Sequence, residues 1–164
     1  MTFETRFDAR TLRNALGRFA TGVTIITTRA ADGRRVGFTA NSFSSLSLEP
    51  PLVLWSLRAV SPNVAAFAEA EHFAVNVLGE AHVDLSRRFA SPVEDKFAEG
   101  LWSEGLGGLP VLAGCPAVFE CRRVSQQPAG DHVLFIGQVL ALTDGPVPPL
   151  LFQAGHYRLA GEIL

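Results

Sequence analysis

The chain has 164 residues, enough for one domain with a proper core and too few for two ordinary ones. Hydrophobic residues make up 48% and charged residues 18%, with a mean hydropathy of +0.22, which is apolar for a globular chain of this length. A net charge of -2 with scattered basic residues argues against a nucleic-acid or membrane surface, and no run reaches the roughly 18 to 20 apolar residues of a membrane helix.

Surplus apolar surface on a small chain belongs in a subunit interface, so a homodimer is expected. The start, MTFETRFDART, carries mixed charge and no apolar core, unlike a signal peptide, and predicts a cytoplasmic protein. Cys115 and Cys121 lack metal-ligand spacing and are expected to be free core thiols.

Residues 8–18, DARTLRNALGR, place Leu12, Ala15, Leu16 and Phe19 on one helical face after Asp8 as N-cap. A hairpin follows: β-branched residues 23–28, the turn dipeptide Asp32-Gly33, and a second strand over about 35–43. Pro50-Pro51 breaks the chain and launches LVLWSL, a continuous apolar strand of the kind buried on both faces. SPNVAAFAEA then predicts a helix with Ser61 at the cap and Pro62 at the first turn.

HFAVNVL, residues 72–78, is the next expected strand, while AHVDLSRRFA and EDKFAEG read as helical or irregular. Gly100 to Gly114 is glycine-rich and predicts a surface loop. AVFECRRVSQQ, a turn at PAGD and HVLFIGQVLALT give two long antiparallel strands. Hairpins outnumber βαβ spacings, so a mainly β chain with short helices, forming a closed or split antiparallel barrel, is expected in place of a Rossmann fold.

Common enzyme motifs are absent. There is no GxxxxGK[ST] loop, no GxSxG elbow and no HExxH, and the glycines at 105–108 neither follow a strand nor open a helix. His72, His82, His132 and His156 stand apart in the chain, so no local pair offers a metal site.

Three stretches could carry chemistry. In GFTANSFSSLSLEPPLVLWSL, residues 37–57, strand alternation puts Thr39, Asn41 and Phe43 on one face and Phe38, Ala40 and Ser42 on the other. An Asn amide offers the donors and acceptor that pair with the edge of a flavin or pyrimidine ring, yet strand propensity and a bulge account for the same residues. In SLRAVSPN, Ser56, Arg58, Ser61 and Asn63 form a strand end and helix start able to hold a phosphate, and an ordinary Ser-Pro cap explains them equally. In AGDHVLF, Gly130-Asp131 makes a turn that sets His132 at a strand's first position, a rim site able to titrate near neutral pH. Tyr157, the one tyrosine, sits in the terminal GHYRL and permits stacking.

GRFATGVTIITT, GFTANSFSSLSLEPPLVLWSL, GDH and GHYRL resemble, in order and spacing, the short-chain flavin reductases that supply reduced flavin to two-component flavin-dependent monooxygenases. The resemblance runs from about residue 12 to 160 and implies a single flavin reductase-like domain over residues 1–164, a homodimer of six-stranded split β-barrels of the FMN-binding, Greek-key type. It implies NAD(P)H:flavin oxidoreductase activity with FMN or FAD, NADH or NADPH as co-substrate, and a monooxygenase partner reached by diffusible reduced flavin. A non-catalytic flavin-storage module on the same barrel is the alternative, and a pyridoxine-phosphate type oxidase would need a more basic phosphate site than Arg58 alone.

Carried over by position, the resemblance puts Thr39, Ala40, Asn41 and Ser42 along the isoalloxazine and ribityl chain. It puts Ser56, Leu57, Arg58, Ser61 and Asn63 at the phosphate end, Phe89 and Lys96 close to the flavin, and His132 and Tyr157 toward the nicotinamide side. His132 is the implied catalytic residue. Val60 stands where relatives often carry a polar residue, a departure at the phosphate contact.

Overall fold

The computed structural model describes residues 4–164. Asp8 caps the first helix, α1 (Ala9–Leu16), by accepting a hydrogen bond from the Thr11 amide at 2.7 Å. That helix leaves its apolar side in solvent: Leu12, Leu16 and the following Phe19 are all exposed. β1 (Thr21–Gly22), β2 (Thr24–Arg29) and β3 (Arg35–Ala40) come next, with the last two joined at Asp32-Gly33, where Gly33 takes φ +84°. A glycine is needed there because the left-handed region repels a Cβ.

β4 (Ser44–Leu48) and β5 (Pro51–Arg58) form a second hairpin, followed by α2 (Val64–Glu69), β6 (His72–Val77) and α3 (Val83–Phe89). β7 (Trp102–Glu104) and β8 (Pro110–Leu112) pair across a short 3-10 turn, so the expected loop at 100–114 is a small hairpin. Its glycines supply the turn, with Gly107 and Gly108 at positive φ, and Trp102, Val111 and Leu112 supply the strand residues that glycine content hid. The long β9 (Ala117–Ala129) and β10 (His132–Asp144) turn at Gly130, and β11 (Leu150–Gln153) pairs with β12 (His156–Leu159).

The main sheet is antiparallel, in the order β3-β2-β6-β9-β10-β5-β4. It therefore has seven strands where six were expected, and it curls so that the edge strand β3 meets β5, the strand next to the opposite edge: Phe38 of β3 packs on Trp55 of β5 with ring centroids 5.6 Å apart. Trp55 is fully buried at the centre of one core, stacked on its register partner Phe135 at 4.4 Å and edge-on to Phe67 and Phe73. A second core, around Phe89, Phe97, Leu112 and Leu150, covers the other face of β2. Period-two alternation explains this division, since neighbours Ile25 and Ile26 are both fully buried but in different cores.

β5 corrects the expectation of a strand buried on both faces. Val53, Trp55 and Leu57 are buried while Leu52, Leu54 and Ser56 are half-buried, because on the second side Leu52 and Leu54 pack against neither core within the chain and Ser56 lines an open cleft. The second strand of the first hairpin also ends early, at Ala40 and not near 43. Ser42 turns back to β5, its hydroxyl donating to the Ser56 carbonyl at 3.0 Å and accepting from the Ser56 amide at 3.1 Å. A side chain thus takes the place of a strand neighbour. Residues 41–43 for that reason do not continue the alternating faces read from the sequence.

One half-buried titratable group lies away from the cleft. His82 closes a 3-10 turn (Glu80–His82), its Nδ1 accepting from the Gly79 amide at 3.1 Å, and desolvation lowers its pKa from 6.5 despite an opposing bond to the Ala113 carbonyl. Protonation would remove the Nδ1 acceptor. Because the folded pKa is depressed, the unfolded chain takes up this proton first, so the contribution is complete above 6.5 and is lost as pH falls through the folded value. Thermal unfolding of His82→Gln, followed from pH 7.5 down to 5, should show a shallower loss of Tm than the parent protein; an equal slope would assign the acid sensitivity elsewhere.

Candidate functional site

A cleft of about 490 Å³ opens where the ends of β3, β5 and β10 meet the loops after β5 and α3. Its lining brings together Thr39, Ala40, Asn41, Ser42, Ser56, Leu57, Arg58, Ser61, Asn63, Phe89, Lys96 and His132. Arg58, Lys96 and His132 contribute basic groups, and no carboxylate is among the lining residues. A site with these cations, hydroxyls and amides suits a ligand with an anionic end and a polar ring edge.

Thr39 reaches the cleft from the end of β3, but its hydroxyl is already committed, donating to the Ser86 carbonyl at 2.6 Å. It ties β3 to α3 and keeps only lone pairs for a ligand. Asn41 is exposed just past the strand end, and among the described residues no hydrogen bond occupies its amide. Ala40 is buried and its carbonyl accepts from the Thr24 hydroxyl at 2.7 Å. A small residue at position 40 keeps the cleft floor open between Thr39 and Asn41.

The far end is built by the chain leaving β5. Ser61 is not the helix cap expected from sequence: α2 starts at Val64 after Asn63, and the Ser61 hydroxyl accepts from the Asn63 amide at 3.3 Å, stabilising a turn before the helix. The Ser-Pro signal was read two residues too early, since Pro62 fixes a bend there before the first helical hydrogen bonds form. Ser61, Asn63 and Arg58 still converge on the cleft.

His132 is the first residue of β10, opposite Arg58 in the β5 register, as its turn predicted. Its Nδ1 lies 2.7 Å from Asp131 Oδ1. The bond from His132 lowers the Asp131 pKa, with the charges of His132 and, more weakly, Arg58 acting in the same direction. An ionised carboxylate only accepts, so Nδ1 carries the proton and Nε2 is the free nitrogen of the neutral ring. Asp131, read from sequence as a turn residue, is thus the group that orients His132.

Phe89 is buried against Phe97 and Trp102, so it shapes the cleft wall from within the second core. Lys96 Nζ donates to the Phe89 carbonyl at 3.1 Å, and partial burial lowers its pKa. Arg88 clasps the same loop, donating from Nε to the Lys96 carbonyl at 3.1 Å and also to the Asp95 carbonyl. Ser91 and Pro92 of this loop line the cleft as well and were missed, although they repeat the Ser-Pro step seen at positions 61 and 62.

Tyr157 does not reach the cleft. Its ring lies on another surface, beside Val83 and Leu150, with the Arg87 guanidinium 5.5 Å from the ring centre. The Tyr157 and Ser86 hydroxyls are 2.8 Å apart, and the Ser86 carbonyl in turn receives Thr39, so within one chain Tyr157 touches the site only through α3. Cys115 and Cys121 are free, and burial pushes both thiols up to about 12, which keeps them protonated and non-nucleophilic. Among the described residues no group of three or more His, Cys, Asp or Glu side chains could hold a metal ion.

Comparison with known proteins agrees with this architecture. The chain is 47% identical over 159 residues to the "Probable flavin reductase" of Rhizobium meliloti, a match that covers 95% of this chain and 51% of that one. It therefore spans about half the length of that relative. It is 43% identical over 155 residues to the "Flavin-dependent monooxygenase, reductase subunit HsaB" of Mycobacterium tuberculosis, covering 93% of this chain and 82% of the subunit. The solved structure of the Streptomyces globisporus NADH:FAD oxidoreductase SgcE6 in complex with NAD and FAD fragments superposes with a TM-score of 0.87 at 36% identity, covering 92% of each chain. The model of the flavin reductase like domain matches residues 16–161, nearly the whole chain, and the protein belongs to that family.

Proposed function

We propose that this chain is an NAD(P)H:flavin oxidoreductase that reduces FMN or FAD at the expense of NADH or NADPH and supplies diffusible reduced flavin to a partner flavin-dependent monooxygenase. The observation that carries this reading is the convergence of four separated stretches, 39–42, 56–63, 89–96 and 132, on one cleft with basic groups and no carboxylate. Kinship with a flavin-dependent monooxygenase reductase subunit and with an NADH:FAD oxidoreductase supports it.

The cleft fits a flavin by its donor set: the free Asn41 amide suits a ring edge, and Arg58, Ser61 and Asn63 suit a phosphate. A bound flavin supplies the hydride-accepting chemistry. The chain's own part is positional. β3 and the Ser42 link to β5 hold the slot, Phe89 shuts water out of one wall, and Asp131 fixes His132 so that Nε2 can orient a second nucleotide at the rim. Such orientation is much of what hydride transfer requires, since no protein nucleophile takes part.

We further propose that the working unit is a cytoplasmic homodimer of single-domain split barrels. The exposed Leu12, Leu16, Phe19, Leu140 and Leu142 supply apolar surface for a subunit contact. A dimer also offers a way for Tyr157 to serve the nicotinamide side from the neighbouring subunit. Among the described residues no helix is long and apolar enough to cross a membrane.

The test is steady-state oxidation of NADH and NADPH by the purified protein with added FMN and FAD. Turnover that depends on added flavin is the expected result. Tight flavin retention without turnover would support the storage alternative instead, and no turnover with any of the four pairs would sink the reductase reading.

A further inference from the structure

One wall of the proposed flavin cleft is a loop bordered by two open spaces. Ala90, Ser91, Pro92 and Lys96 line the cleft, while Pro92, Val93, Glu94, Asp95 and Lys96 line a second trough of about 560 Å³ that continues from it. A segment between two open spaces gains little from packing, so polar ties have to hold it.

The ends of the loop are anchored. Ser91 donates from Oγ to the Arg88 carbonyl at 2.7 Å, and Phe97 is buried edge-on against Phe89 at 5.0 Å and Trp102 at 4.9 Å. Between these anchors two basic side chains cross in opposite directions. Lys96 Nζ reaches back to the Phe89 carbonyl at 3.1 Å, at the last residue of α3, where a cation also suits the helix dipole. Arg88 reaches forward from the same helix, donating from Nε to the Lys96 carbonyl at 3.1 Å and from Nη2 to the Asp95 carbonyl.

The two ties are not equivalent. Lys96 lines the cleft, so an anion arriving there competes with the Phe89 carbonyl for its ammonium. Arg88 does not line the cleft, and its planar fork spans two successive carbonyls, a geometry that a point charge does not reproduce. Its third contact, Nη1 at 3.8 Å from the Glu99 carboxylate, adds little because Glu99 is largely exposed. The tie from Arg88 therefore persists when a ligand draws Lys96 away. Arg87, one position earlier, is turned elsewhere: it pairs with Asp84 at 3.3 Å and lies over the Tyr157 ring.

We propose that Arg88 is a positioning residue for flavin binding, fixing the Ser91–Lys96 wall from outside the cleft so that affinity for flavin depends on its hold. The inference rests on the flavin-binding reading of the cleft and deepens it, because it assigns part of the affinity to a residue that touches no ligand.

The test reads flavin affinity and loop exposure in the same variants. Arg88→Ala should raise the dissociation constant of FMN and of FAD about tenfold, the factor for one lost charge-assisted tie. The loss should appear in KM for flavin and spare kcat at saturating flavin, since a bound ligand itself supports the wall. Cleavage of the folded protein after Glu94 by a glutamate-specific protease should be about tenfold faster in Arg88→Ala than in the parent, and saturating flavin should suppress the difference. Arg88→Lys should recover only part of the loss, because an ammonium restores the charge without the two-carbonyl fork. Arg87→Ala, which removes the same charge one position away, should leave flavin affinity and cleavage within about twofold of the parent.

Unchanged flavin affinity in Arg88→Ala would overturn the proposal, as would a loss of kcat equal to the loss of affinity, which would mark Arg88 as a packing residue only. Full recovery in Arg88→Lys, or an equal effect in Arg87→Ala, would overturn it too by assigning the effect to charge alone. If Arg88→Ala does not fold, Arg88→Lys carries the same comparison with an expected rise of about threefold, and no rise there overturns the proposal. A parent protein that binds flavin while Arg88→Ala binds it equally well removes this inference alone, whereas a parent that binds neither flavin removes the reductase reading with it.

Discussion

Replacing His132 by alanine is expected to lower NAD(P)H oxidation about a hundredfold while moving the flavin dissociation constant by less than about twofold, the low end of what one positioned proton-bearing group contributes. The reason is placement. His132 stands at the rim of the cleft, at the first residue of β10, with its Nδ1 held by Asp131 at 2.7 Å and its side chain 39% exposed. It is poorly sited to hold a flavin in the proposed slot between β3 and β5 and well sited to meet a second nucleotide arriving from solvent. Its loss should therefore appear in kcat/KM for NAD(P)H.

Asp131→Asn should fall between the parent and His132→Ala. An amide can still contact the imidazole, but it no longer demands the Nδ1–H tautomer or stabilises a protonated ring. Flavin binding measured by fluorescence quenching, alongside stopped-flow reduction of bound flavin, separates the two effects. Parallel loss of flavin affinity and reduction rate in His132→Ala would remove the assigned role.

The largest stability effect is expected at Trp55. It is fully buried, stacks on Phe135 at 4.4 Å and meets Phe38, Phe67 and Phe73 edge-on or tilted, so Trp55→Ala should cost about 3–5 kcal/mol. The consequence reaches the site, because β5 alternates: Trp55 fills the core between Leu54 and Ser56, which face the open side, and Ser56 carries the backbone groups that bind Ser42. Loosening Trp55 should free Ser42 and with it the segment from Asn41 that lines the proposed flavin slot.

Trp55→Phe should cost much less than Trp55→Ala. It keeps an aromatic ring against Phe135 and removes the indole N–H, which is buried with no hydrogen-bond partner among the described residues. Chemical denaturation gives the comparison directly. A Trp55→Ala variant with an unchanged unfolding midpoint would show that the aromatic cluster contributes far less than its burial implies.

Where local pattern alone fixes an element, the sequence was enough. Asp8 before a helical apolar spacing, Asp32-Gly33 between β-branched runs, and Gly130-Asp131 before an apolar run each define their element through near-neighbour chemistry, and the structure has α1, the β2–β3 hairpin and His132 opening β10 at those places. The mainly β class followed from the number of such hairpins. The resemblance of four short stretches named the flavin, and the family match bears out that kinship.

What depended on distant partners was not legible. The extent of β3 was overread because nothing local says that Ser42 leaves its ladder to satisfy the Ser56 backbone, 14 residues away in the chain. Burial of both faces of LVLWSL within one chain was overread because an apolar strand with one face left open and one between two layers have the same composition. The resemblance put Tyr157 toward the nicotinamide side, and nothing local says that within one chain it lies outside the cleft, bonded to Ser86 of α3. Residue type and spacing fixed the local turns, strands and caps, since these are set by backbone sterics and nearest-neighbour hydrogen bonds. Only the tertiary structure decided that 39–42, 56–63, 89–96 and 132 line one cleft and that the cleft continues past Lys96 into a second trough, since long-range packing sets both.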